Sequence, residues 1–104
     1  MNQSSLLNAR KVARAAKNRQ GEDLRVLHER VLVLVSDGTR APAVTARAHA
    51  VIAKWESAHT CSPFYVEEWR RILADPVEGL RRYVLRPDAP NGIALMHNTP
   101  FGFL

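Results

Sequence analysis

The sequence predicts an all-α protein, a small bundle of four to five helices with a packed, irregular C-terminal tail. Three observations carry this expectation. Apolar residues recur at spacings of three and four along most of the chain, which is the period of a helix with one buried face. Ser62-Pro63 and Asp75-Pro76 each place a capping residue before a proline, the arrangement of a helix start. Gly21, Ser36-Asp37-Gly38 and the run from Arg86 to Gly92 punctuate the pattern at intervals that suit short helices. With 104 residues the chain is one domain on length alone, and it can bury a core without disulfide or metal staples.

The elements follow in order. From Ser4/Ser5 to Gln20, Leu6, Ala9, Val12, Ala13 and Ala16 fall on one side of a helical wheel, and Arg10, Lys11, Arg14 and Lys17 on the other. Alanine favours this helix. It buries little area, so Leu6 and Leu7 are its main anchors. Gly21 is expected to break it. From Glu22 to Ser36, Leu24, Leu27, Val31, Leu34 and Val35 form a strong stripe, with Val26 and Val33 as a lesser one on the far side. The run VLVLV also suits a buried strand; the spacing continuing back to Leu24 favours the helix.

From Pro42 to His59, Val44, Ala48, Val51, Ile52 and Trp55 make a broad apolar face. Ala46, Ala50, Ala53 and Ser57 lie opposite, a small-residue face that would let another helix approach closely. This helix is expected to be central, or to carry a dimer seam. Ser62 to Ala74 is a fourth helix, with Tyr65, Trp69, Ile72 and Leu73 inward and Glu67, Glu68, Arg70 and Arg71 outward. Glu67 and Arg71 are spaced for an i,i+4 pair. Asp75 to Leu85 is the fifth, with Asp75 as cap, Glu78 at the capping-box position and Gly79 weakening it. Two prolines and Asn-Gly then impose a loop. In the tail, Ile93, Leu95, Phe101 and Phe103 are expected to dock on the bundle.

Charge is distributed unevenly. The net charge is +5, from 15 Lys+Arg and 10 Asp+Glu. Residues 1–20 hold Arg10, Lys11, Arg14, Lys17 and Arg19 and no acid, so the remaining 84 residues are balanced. The chain divides into a basic N-terminal arm or helix, 1–20, and a single helical domain, 21–104. Segregated positive charge points to a polyanion or an acidic partner. Arg10, Arg14 and Lys17 share one stripe, with Lys11 and Arg19 near it, which suits phosphate contacts that carry affinity without sequence information. The arm has no aromatic residue, so it offers no base stacking.

Other chemistry is poorly supported. The outline of the third and fourth helices suits a helix-turn-helix, yet two carboxylates on the presented face oppose a groove-reading role. His49, His59, Cys61 and His97 lack the spacing of a compact zinc site, and there is no Cys-x2-Cys pair. Cys61 and His59 suggest a nucleophile and base only by proximity in sequence. No catalytic residue, cofactor or metal is expected. The run His97-Asn98-Thr99-Pro100-Phe101 reads as a turn that steers Phe101 and Phe103 onto the core.

No apolar run reaches the ~18–20 residues of a membrane span, and the N-terminus lacks the apolar core of a secretory signal. Its Arg-rich, acid-free composition also suits a transit peptide. The lone cysteine is ordinary for the cytosol, and a cytoplasmic protein is expected. Ser62-Pro63, Tyr65-x3-Trp69, Ile72-Leu73 and Ala94-Leu95-x-x-Asn98-Thr99-Pro100-Phe101 resemble stretches of small bacterial proteins of no assigned activity. The resemblance implies a bacterial accessory or regulatory protein. The leading functional expectation is therefore a small regulatory or accessory protein contacting nucleic acid through Arg10, Lys11, Arg14, Lys17 and Arg19. The alternative is a protein-protein interaction module or homodimer using Ala46, Ala50 and Ala53, or the Val26/Val33 stripe.

Overall fold

The computed structural model describes residues 21–104. Regular structure among them is helical throughout, and it forms the small bundle with a packed tail that the pattern predicts. Helix α1 covers residues 21–36, α2 Ala41–Ala58 and α3 Pro63–Ala74. Helix α4 covers Pro76–Gly79 and runs directly into a π-helical turn, Leu80–Val84, and α5 covers Gly92–His97. The predicted first helix, Ser4/Ser5 to Gln20, lies outside the described residues.

Helix α1 takes VLVLV as helix, burying Val31 and Val35 with His28 one turn before them. Gly21, the first described residue, is itself helical. A single glycine costs a helix only about 1 kcal/mol, which the packed stripe that follows outweighs. Asp37 closes the helix by folding back on the turn. Its side chain accepts the Thr39 N–H at 2.9 Å and its carbonyl accepts the Ala41 N–H at 2.8 Å.

Helix α2 buries Ala48 and Ile52, with Val44 and Trp55 half-covered beside them. It ends at His59, which adopts a left-handed conformation with φ of 53°. Histidine tolerates that region better than most side chains. The turn lets the His59 and Thr60 N–H groups both donate to the Trp55 carbonyl. Helix α3 then starts as the sequence requires: Ser62 Oγ accepts the Phe64 N–H at 3.3 Å and Pro63 occupies the first turn.

The centre of the bundle is α3, not α2. Trp69 and Ile72 are fully buried, with Val66 and Leu73 nearly so. The expectation that α2 is central rested on its alanines, but the chain closes around its largest apolar side chains, where burial removes the most area from water. The predicted fifth helix also differs. It is α-helical only to Gly79, and at Leu85 the N–H donates to Leu80 O, five residues back, at 2.8 Å. The Asp75 side chain makes no cap, and Glu78 turns outward toward Arg81 and Arg82.

Gly79 explains why the segment must sit there. A Cβ at this position would lie 2.4 Å from Ile72 O and 2.8 Å from Ile72 Cα, so α4 meets α3 backbone to backbone. Gly92 has the same role at α5, where a Cβ would lie 2.7 Å from Val84 O. The tail returns over the bundle. Leu95, Met96 and Phe101 are buried, and Phe103 lies half-covered across α2. Ile93, expected to dock, is 72% exposed. In so short a helix, burial of Gly92, Leu95 and Met96 turns Ile93 to the opposite side. No helix among the described residues is long and apolar enough to cross a membrane.

Candidate functional site

Three places on the described chain gather chemically distinctive groups. The first is a buried clasp around His28, a residue that sequence reasoning did not single out. His28 has no solvent exposure. Its Nδ1 lies 2.6 Å from Leu24 O and its Nε2 lies 2.8 Å from Thr99 Oγ1. A carbonyl only accepts, so Nδ1 carries the proton and Nε2 accepts from the Thr99 hydroxyl. Thr99 Oγ1 in turn accepts the Phe101 N–H at 3.1 Å. The imidazole stacks on Trp69 at 5.9 Å and meets the edge of Phe101 at 6.2 Å. Trp69 Nε1 donates to Asn98 O at 2.7 Å, and the Asn98 amide donates to Ala94 O at 2.8 Å.

The clasp thus ties α1, α3 and the tail together with every polar atom partnered. Burial pushes the His28 pKa below the ordinary imidazole value, opposed only by the Leu24 carbonyl. The neutral form is the one these hydrogen bonds require. Its role is structural, since it has no opening to a substrate. The signal that could have found it is the spacing: His28 falls on the Leu24, Val31, Val35 face, at i+4 from Leu24 and i+3 before Val31.

The second place is an open groove at the α2–α3 turn, of about 580 Å³, whose lining includes Trp55, His59, Cys61, Val66, Glu67 and Arg70. Cys61 and His59 do line one groove. Glu56 and Arg70 form its rim, bonded bidentately at 2.7 and 3.2 Å. The Arg70 hydrogen bonds hold the Glu56 carboxyl below its usual range, and Glu56 raises Arg70 in return. Both charges therefore face each other rather than an incoming ligand. Among the described residues no three His, Cys, Asp or Glu side chains converge to hold a metal ion.

The third place is the outer face of α2. Ala46, Ala50 and Ala53 are exposed and no helix packs on them within the described chain, contrary to the expectation that this face lets a neighbouring helix approach in a central position. A shallow groove of about 260 Å³ crosses it, lined by Arg47, Ala50, Val51, Lys54 and Phe103. The Arg47 guanidinium sits over the Phe103 ring, 4.2 Å from its centroid. On α1, Val26 and Val33 are 63% and 70% exposed. Arg10, Lys11, Arg14, Lys17 and Arg19 lie outside the described residues.

Helix α3 has the position of a reading helix but not the surface. Its outer cations are engaged: Arg70 with Glu56, and Arg71 with Glu68 at 2.6 Å while lying over the Tyr83 ring. The expected Glu67–Arg71 pair does not form, because the shorter i,i+3 reach to Glu68 also allows Arg71 to stack on Tyr83. Comparison of the chain with family models, curated proteins and solved structures returned no match.

Proposed function

We propose that this is a small accessory or regulatory protein that holds nucleic acid by its phosphates, through Arg10, Lys11, Arg14, Lys17 and Arg19. The single observation that carries the reading is where the charge lies. Beyond residue 20, ten cations are balanced by ten acids, and seven of those cations are in ion pairs: Arg25, Arg40, Arg70, Arg71, Arg81, Arg82 and Arg86. The helical body is thus largely self-neutralised, and the whole surplus of +5 belongs to residues 1–20. Contacts of this kind give affinity and orientation but no base readout.

The test is a fluorescence titration of the full chain against mixed-sequence duplex at several salt concentrations. Each neutralised phosphate contributes about −0.9 to the slope of log K against log salt, so five contacts give up to about −4.5. Replacing the five cations by Gln is expected to abolish most of that slope. An unchanged slope would remove the proposal.

A second reading is favoured by the exposed Val26/Val33 stripe on α1: a protein-protein interaction module or homodimer that binds no nucleic acid. It predicts a mass that rises with concentration and falls to monomer on Val33→Glu. The corresponding test of the Ala46, Ala50 and Ala53 face is Ala50→Glu. A monomeric mass for the wild-type chain up to high concentration would eliminate the dimer.

A further inference from the structure

We infer that the groove across the outer face of α2, between Arg47 and Lys54, is a second contact surface for the same nucleic-acid backbone. This inference rests on the phosphate-binding reading above and adds a site on the body to it.

The body's three remaining cations are Arg30, Arg47 and Lys54, none of which is in an ion pair among the described residues. Two of the three flank one groove. Arg47 and Lys54 are seven residues apart, which places them on the same side of α2 about 10.5 Å apart along its axis. The floor between them is Ala50 and Val51, and Phe103 forms a wall. The floor is low because Ala50 is small, so a strand can approach both cations at once. The only acid of α2 is Glu56, and Arg70 already holds it bidentately. Among the described residues no carboxylate lines this groove.

Arg47 is also held in place. Its guanidinium carbon lies 4.2 Å from the Phe103 ring centroid, a cation–π contact that holds the group at the groove, and none of its N–H donors is engaged in an ion pair among the described residues. Phe103 is itself steadied by Phe101, 6.3 Å away in the buried core. The tail therefore positions the Arg47 guanidinium on a helix that would otherwise carry it loosely.

Charge decides the occupant. A second copy seated on this groove through a two-fold axis would bring Arg47 and Lys54 against their own equivalents, and like charges oppose that contact. A strand of phosphates presents the opposite sign along its length. The groove has an aromatic wall beside its cations, which residues 1–20 do not offer.

The experiment compares three full-length proteins against mixed duplex and against single-stranded DNA: wild type, R47Q/K54Q, and the variant with the five leading cations replaced by Gln. Loss of two phosphate contacts is expected to flatten the salt slope of R47Q/K54Q by about 1.8 on duplex and about 1.4 on single strands, so that on duplex a fourfold rise in salt costs it about tenfold less affinity than it costs wild type. K54Q alone, which disturbs no packing, should give half of that change in slope. If R47Q/K54Q keeps the wild-type slope on both DNAs while the five-Gln variant loses its own, the α2 groove is not a contact and the leading segment stands alone. If wild type binds neither DNA at low salt, the phosphate-binding reading falls and this inference with it.

Discussion

The clasp around His28 and the seam between Glu56 and Arg70 are both polar links between elements far apart in the chain. His28 reaches Thr99 across 71 positions, and Arg70 reaches Glu56 across 14. They differ in water. His28 sits at zero exposure against Trp69 and Phe101, whereas the side chains of Arg70 and Glu56 are 44% and 58% exposed. A buried polar group left unpaired cannot turn to solvent, so the bonds made by His28 and Trp69 are obligatory. An exposed ion pair can be replaced by two hydrated ions. The comparison teaches that the clasp specifies the fold, while the seam decorates a packing decided elsewhere.

The strongest way to break this contrast is Trp69→Ala. It empties the centre of α3, removes the ring on which His28 stacks and orphans Asn98 O, and it should destabilise the protein by about 3–5 kcal/mol in urea unfolding. Retention of the wild-type midpoint would mean that the clasp does not hold the bundle. Next comes Gly79→Ala. Helix propensity alone favours Ala by about 1 kcal/mol. The clash with Ile72 O predicts the opposite sign, a loss of about 1–3 kcal/mol as the α3–α4 contact is forced apart. Stabilisation in the same assay would show that the crossing has slack.

The third prediction concerns pH. The folded pKa of His28 is lowered, so the unfolded chain binds the proton first as pH falls. Stability from this group is full above the unfolded value of 6.5 and is lost as pH drops below it toward the lowered folded pKa. The limiting slope is about 1.4 kcal/mol per pH unit. Denaturant midpoints at successive pH values should follow it, and His28→Phe should flatten the profile between pH 7 and 5. A wild-type profile already flat there would mean that folding does not shift the His28 pKa. The smallest effect belongs to Arg70→Gln, which should leave the unfolding midpoint unchanged at physiological salt. A clear loss there would erase the distinction between clasp and seam.

Much of the bundle was legible residue by residue. The Ser62-Pro63 start, the inward set Trp69, Ile72 and Leu73, and the return of Phe101 onto the core follow from local rules of capping, period and turn chemistry. The clasp was not legible, because a histidine on an apolar stripe gives no hint of the hydroxyl that partners it 71 positions later. The α2 groove was half legible. The spacing marks Ala50 as a small-residue contact, but Phe103 and Arg47 meet there only because the tail crosses α2. At Gly79 the sequence shows only a propensity cost, since close approach of two backbones leaves no trace in spacing.

By itself, the sequence determined the helical class, the proline-marked starts of α2, α3 and α4, and the concentration of uncompensated positive charge ahead of residue 21. These are properties of short windows, and near neighbours decide them. Tertiary structure alone decided that α3 rather than α2 forms the centre, that His28 is buried with both ring nitrogens hydrogen-bonded, and that Arg47 and Lys54 flank an open groove while seven of the body's other eight cations are paired. Those outcomes depend on which distant surfaces exclude water from one another, and a contact between residues far apart in the chain is set by the whole packing.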